Sequence, residues 1–255
     1  MIELKTRGEI DALRAAGRVV ADALAAVRSA ASVGVSLREL DEVAAGVIAD
    51  AGAVPSFLNY LPHFADTPYP AVICASVNDA VVHGIPTRYR LAEGDLVSID
   101  CGAHLDGWCG DSAASFTVGR ADERDTVLIE TTERALAAGI AACVPGNRIG
   151  DIGNAVGPIA RAAGYGILAG HGGHGVGRAM HELPHVPNEG TPGQGIGLRP
   201  GIVIAIEPMF IIGGGDEYRT DPDGWTLRSR DGGRAAHTEH TVAVTEDGPV
   251  VLTAP

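Results

Sequence analysis

The sequence predicts an α/β chain of the α+β kind, built from two pseudo-symmetric halves that each carry two helices followed by strands. Three observations lead there. Two apolar stripes at helical spacing open the chain, each behind a capping signal. The same layout returns 112 positions later. Short runs rich in Val, Ile and Ala, bounded by Gly, Asp and Pro, follow each helix pair.

Thr6 and Glu9 have the spacing of a capping box, in which a hydroxyl and a carboxylate each satisfy the other residue's backbone N–H. They stand before Ile10, Leu13, Val20, Leu24 and Val27. Ser36 and Glu39 repeat the signal ahead of Leu37, Leu40, Val43, Val47 and Ile48, and Gly52 then ends the second helix. Residues 55–70 hold four prolines and Asn59, which predicts a loop. Strand-like runs come at 71–76, 96–100 and 112–118, the last two flanking the turn signals Gly102 and Asp106-Gly107.

In the repeat, Ala23-Leu24-Ala25-Ala26 matches Ala135-Leu136-Ala137-Ala138, and Gly34 matches Gly146. Leu37, Leu40 and Val47 fall on Ile149, Ile152 and Ile159 without a gap. The halves expected on that basis are 1–119 and 120–255, together one catalytic domain over 1–255. Strands at 202–206 and 241–244, with a weaker run at 250–252, complete the second half. A site between such halves draws its ligands from both.

Apolar residues make up 45% of the chain and aromatics 4%, so the core is expected to be Ala, Val, Ile and Leu. A formal net charge of −13 argues against nucleic acid and anionic membranes as partners. Cys74, Cys101, Cys109 and Cys143 form no C-x-x-C pair, which fits reduced thiols in a cytosolic protein. The opening Met-Ile-Glu-Leu-Lys-Thr lacks the apolar stretch of a signal peptide, and no run of 18 apolar residues occurs. The expectation is a cytoplasmic protein.

From Gly170 to His185, four of the nine histidines fall in sixteen positions on glycine-rich backbone. Imidazole is both a common metal ligand and a base near neutral pH, so this density points to metal binding or proton transfer. Gly170, Gly172 and Gly175 fit G-x-G-x-x-G, yet Pro184 and Pro187 cut short the helix that a phosphate site requires. His181-Glu182-Leu183-Pro184-His185 fits H-E-x-x-H, a zinc pattern that works only with both histidines on one helical face. Pro184 strains that reading.

Carboxylates complete the picture. Asp100 is expected at the end of one strand and Asp111 at the start of the next, where a hairpin brings them together. Glu207 follows Ile202-Val-Ile-Ala-Ile, and Glu239 precedes Thr241-Val-Ala-Val. Any one of them alone would be an ordinary strand-end residue. Four beside a histidine cluster suit two divalent cations about 3.5–4 Å apart, which turn a shared water into hydroxide and clamp an amide oxygen.

With Val82-His83-Gly84-Ile85-Pro86, Ile99-Asp100 through Gly110-Asp111, Gly173-His174-Gly175-Val176-Gly177 through His181-Glu182, Ile206-Glu207-Pro208-Met209, Asp223-Gly224-Trp225-Thr226 and Glu239-His240-Thr241, the chain resembles the type I methionine aminopeptidases. The resemblance implies the pita-bread fold, an antiparallel sheet covered by two helix pairs. It implies Asp100, Asp111, His174, Glu207 and Glu239 as ligands of two divalent ions (Co, Mn, Fe, Zn or Ni), with Asp111 and Glu239 bridging. It gives His83 and His181 the substrate contacts and Glu207 the proton of the attacking water. Tyr69, Cys74, Met180 and Trp225 would form the methionine slot, with Phe57, Tyr60 and Phe64 as further lining. The implied activity is removal of the initiator methionine from nascent chains, or peptides, whose second residue is small. The enzyme would be a monomer acting at the ribosome, without direct nucleic-acid binding and without the zinc-binding extension of some relatives.

Departures from the family pattern are His237 and Thr238 ahead of Glu239, Met180 in place of Phe, and Cys109 in place of His. His237 is expected either to alter preference for the second substrate residue or to add a competing ligand. His171 is expected to bond within its glycine loop, and His63, His104, His185 and His240 to be loop or packing residues. Rival readings are a proline-specific peptidase of the same fold, whose usual extra N-terminal domain finds no room here, and a non-catalytic binding protein, which would have lost ligands.

Overall fold

Thr6 accepts from the backbone of Glu9, whose carboxylate takes the Thr6 N–H in return, so helix α1 (Arg7–Ala30) starts where its sequence signal lies. Ser36 and Glu39 do the same for α2 (Leu37–Asp50). Gly52 follows α2 at φ 68°, a left-handed value open to glycine without a side-chain clash. The computed structural model describes residues 2–62 and 65–254.

Strands β1 (Val54–Pro55), β2 (Ile73–Val77) and β3 (Ala80–Val82) precede a long hairpin of β4 (Leu96–Leu105) and β5 (Trp108–Thr117). Its turn is Asp106-Gly107, both with positive φ, in agreement with the turn signal. A second helix pair follows, α3 (Glu123–Ala142) and α4 (Ile149–Ala162). After it come β6 (Gly166–Ile167), β7 (Gly172–Gly175), β8 (Glu182–Pro187), β9 (Val203–Ile206) and β10 (Met209–Ile211). The last strands are β11 (Tyr218–Thr220), β12 (Leu227–Ser229), β13 (Ala235–His237), β14 (Glu239–Thr245) and β15 (Gly248–Val251).

Among the described residues every strand pair is antiparallel. The main sheet runs β1-β4-β5-β14-β9-β7-β8, with β2 on β4 and β15 on β14, and two three-stranded sheets flank it. Strand alternation divides its residues between two faces. Val97, Ile99, Cys101 and Ala103 of β4 pack with Val20, Val27, Leu40 and Ile48 of α1 and α2. Ile204 and Ile206 of β9 and Val242 and Val244 of β14 pack with Leu136 and Ile152 of α3 and α4. The helices thus lie on one face. The opposite face, with Val203, Ala205 and Ala243, packs against Phe57, Tyr69, Met180 and Trp225. The candidate site residues are on that second face.

Candidate active site

Asp100 and Asp111, expected at a strand end and a strand start, lie inside β4 and β5 instead, because the hairpin continues to Leu105 and Trp108. The register pairs Asp100 with Ala113 and Gly102 with Asp111, which sets the two carboxylates diagonally on one face. Glu239 opens β14 across from Ala113, and Ser112 Oγ donates to its carbonyl at 2.6 Å. Thr241 locks the same strands: its hydroxyl accepts from Asp111 N at 3.1 Å and donates to Asp111 O at 2.7 Å. Glu207 follows β9, and Asn188 Nδ2 donates to its carbonyl at 3.0 Å.

His174 reaches this cluster from β7, whose sequence Gly-Gly-His-Gly has little strand propensity. Packing requires those glycines: a methyl on Gly173 would stand 2.0 Å from the Ala205 carbonyl oxygen, and one on Gly175 would stand 2.2 Å from that of Leu183. Gly173→Ala is therefore expected to destabilise the protein by on the order of 1–3 kcal/mol and to lower its cation content, checked by urea unfolding and metal analysis. The His174 Nδ1–H donates to the Gly175 carbonyl at 2.9 Å, which leaves Nε2 as the free electron pair. That nitrogen lies 3.8 Å from Asp111 Oδ2 and 3.6 Å from Glu207 Oε1.

Two groups of ligand-type atoms result, Asp111–His174–Glu239 and Glu207–His237–Glu239, and Glu239 belongs to both. Asp100 Oδ1, Asp111 Oδ1, Glu239 Oε1 and His237 Nε2 are buried without a hydrogen-bond partner. Burial raises Asp100 to about 7, against the neighbouring His237 imidazole, and raises Glu207 to about 8. Asp111 and Glu239 are pushed well above the usual carboxylate range by burial first, then by the charges of Asp100 and Glu207 on Asp111 and by those of Asp111, Glu207 and Asp100 on Glu239. Burial also lowers His174 and His83 to about 3, so both imidazoles are neutral at physiological pH. Four carboxylates, three of them with a buried oxygen that has no partner, beside neutral imidazole need positive charge, and divalent cations fit that donor set.

A cavity of about 570 Å³ opens beside the cluster. Tyr69, Cys74, Met180 and Trp225 all line it and are buried. Tyr69 meets Trp225 edge-on at 5.0 Å, and its hydroxyl is held by the carbonyls of Ile73 and Gly84. Trp225 Nε1 donates to Thr67 O at 3.1 Å. Phe57 and Tyr60 line the cavity as well, whereas Phe64, like His63, lies outside the described residues. His83 sits in left-handed backbone at φ 59°, its ring 6.4 Å from Trp225. His181 stacks on Tyr60 at 5.4 Å and lies 4.1 Å from the His174 ring.

Glu182 holds the turn before His181. It accepts from the N–H groups of Arg178 and Ala179 and from buried Lys5 at 2.9 Å, an anchor with no motif in the sequence. The zinc helix is absent: residues 182–187 form a strand on which His185 is exposed. No helix follows the glycine loop either, so the phosphate pattern has no structural counterpart. His171 Nδ1 donates to Ala169 O at 2.9 Å, the loop bond expected of it, and the residue also lines the cavity, as does His185. His240 bonds Thr253, and His104 bonds Ser56 and meets Arg178 O.

A carboxylate-and-imidazole cluster at the base of an apolar pocket, on the open face of an antiparallel sheet, defines a metal-dependent hydrolase site. Residues 11–246 match the profile of metallopeptidase family M24. Methionine aminopeptidase 1 of Mycobacterium tuberculosis is 54% identical over 260 residues, an alignment covering 99% of this chain and 95% of that protein. The crystal structure of methionine aminopeptidase from Thermotoga maritima superposes with a TM-score of 0.95 at 38% identity, with complete coverage of both chains. Prolidase from Pyrococcus furiosus superposes with a TM-score of 0.76 at 25% identity, covering 99% of this chain and 65% of that one. The chain belongs to metallopeptidase family M24, in its methionine aminopeptidase group, and has the pita-bread fold.

Proposed function

We propose that the chain is a single catalytic unit that removes N-terminal methionine from polypeptides with a small second residue, as a cytoplasmic monomer acting on nascent chains at the ribosome. The observation that carries this reading is the buried carboxylate cluster at the floor of a pocket walled by Tyr69, Cys74, Met180 and Trp225. Asp100, Asp111, His174, Glu207 and Glu239 would hold two divalent cations, drawn from Co, Mn, Fe, Zn or Ni, with Asp111 and Glu239 shared between them. Bound there, the cations supply Lewis acidity, which acidifies water and polarises an amide oxygen.

The rest is work for the side chains. The pocket takes the substrate thioether against sulfur and aromatic edges, a favourable contact for a polarizable, unbranched chain. Glu207 accepts a proton from the attacking water at a carboxylate oxygen and returns it to the leaving amine. His83 and His181, neutral, donate ring N–H groups to the scissile carbonyl oxygen as negative charge develops on it. His83→Ala and His181→Ala are each expected to lower kcat by about 10²–10⁴-fold with cation content retained, checked by peptide kinetics beside metal analysis. His185→Ala is expected to keep the bound cations, checked by metal analysis, because the exposed imidazole lies outside both candidate ligand groups.

The reading is tested with cation-reconstituted protein on Met-Ala-Ser and on Xaa-Pro peptides. Release of methionine from the first alone supports it. Cleavage of Xaa-Pro peptides alone would replace it with the proline-specific alternative.

A further inference from the structure

His237 is a buried imidazole that the five-ligand reading leaves unused. It closes β13, which pairs with β10 so that His237 faces Met209 in register. Its backbone N–H is taken by Ser115 Oγ at 3.0 Å, and its carbonyl accepts from that same hydroxyl at 2.7 Å. The residue is 2% exposed. Thr238 N, next along, donates to Pro208 O at 3.3 Å, and β14 begins at Glu239. In extended chain, residues two apart project to the same side, so the imidazole of His237 and the carboxylate of Glu239 point together.

His237 Nε2 lies 3.5 Å from Glu207 Oε2 and 3.9 Å from Glu239 Oε2. It has no hydrogen-bond partner. Those distances exceed a hydrogen bond but fit two ligand atoms on one ion, since ligands about 2.0–2.2 Å from a cation stand roughly 3 Å apart or more. The contacts resemble those of His174, which has Glu207 Oε1 at 3.6 Å and Asp111 Oδ2 at 3.8 Å. Glu207 thus presents one oxygen to each imidazole, with Glu239 common to both groups.

We propose that His237 is a sixth protein ligand of this centre, giving the second cation position an imidazole of its own. The proposal rests on the cation-site reading above and deepens it. Imidazole favours Zn, Fe, Ni and Co over Mn and Mg, whereas a position lined by carboxylates alone favours the harder ions. The second position in this chain is therefore selective for the softer cations and holds them more tightly than carboxylates alone would.

Co²⁺ is the probe, with calorimetry and visible absorption as readouts independent of turnover. Wild-type protein is expected to bind two Co²⁺ ions. H237Q, which keeps a polar side chain but removes the imidazole, is expected to weaken the second ion by at least about tenfold and change its d–d bands, with the first ion unaltered. Far-UV circular dichroism and metal-free melting establish that the variant is folded. A measurement on the wild type alone covers the case in which it is not: proton NMR of the fully cobalt-loaded protein should show two shifted imidazole N–H signals, from His174 and His237. A single such signal, or equal second-ion affinity and spectrum in H237Q, overturns the role of His237 while leaving the cation site standing. Failure of the wild type to bind Co²⁺ overturns the cation site itself.

Discussion

Replacing Glu239 by glutamine is expected to strip the centre of its cations and lower peptide hydrolysis by about 10³-fold or more. Glu239 is the common member of both candidate ligand groups, so on the proposed reading its loss damages both. It is 2% exposed and one of its oxygens has no partner, so no solvent stands ready to substitute. The polarisation at stake amounts to several kcal/mol, and each ~1.4 kcal/mol is a tenfold change in rate. Ser112 Oγ bonds the Glu239 backbone carbonyl, which the substitution keeps, so the strand should stay in place. Metal analysis and kcat on Met-Ala-Ser check the result. Two ions bound with wild-type turnover would remove Glu239 from the centre.

Stability of the cation-free protein is expected to fall as pH rises from 6.5 to 8. Burial holds Asp100 at about 7 and Glu207 at about 8, with Asp111 and Glu239 also raised. Folded values above the unfolded ones mean that the native state binds more protons between about pH 4 and 8, so stability is lost as pH rises through that window. His83 and His174, lowered to about 3, act in the opposite sense. Their effect is confined to pH values below the unfolded histidine value of about 6.5, where the unfolded chain gains protons that the native state does not. Above it the carboxylates decide. One proton's difference across this interval is worth about 2 kcal/mol, or a Tm drop of about 4–8 °C. Cation loading displaces those protons, so loaded protein should melt higher, without the drop, and binding should release at least one proton at pH 7. Melting at both pH values and calorimetry in two buffers of different ionisation heat measure this. A flat Tm with no proton release would mean that the carboxylates are already ionised.

What could be read from the sequence was local or chemical. Thr6–Glu9 and Ser36–Glu39 are complete within four residues each, and both boxes form. The ligand candidates were visible as residue types because a carboxylate next to an apolar strand needs a reason to be there. Strand ends were less legible: β4 continues through Gly102, Ala103 and His104, because pairing with β5 along their whole length outweighs weak propensity. β7 was not visible as a strand at all, since only its packing between β8 and β9 makes Gly172–Gly175 extended. The placement of His237 depends on β13 pairing with β10, a contact between segments more than twenty residues apart.

The exchange of hydrogen bonds between Asp111 and Thr241 has a consequence for biogenesis. Candidate donors on β4 and β5 face those on β7, β13 and β14, so the first strands alone lack His174, His237 and Glu239, and the last alone lack Asp100 and Asp111. During synthesis the emerging polypeptide has no complete set of donors until β14 has docked beside β5. On the proposed ligand set, cation uptake is a late event that reports tertiary assembly, and a nascent fragment ending before residue 239 should not cut its neighbours.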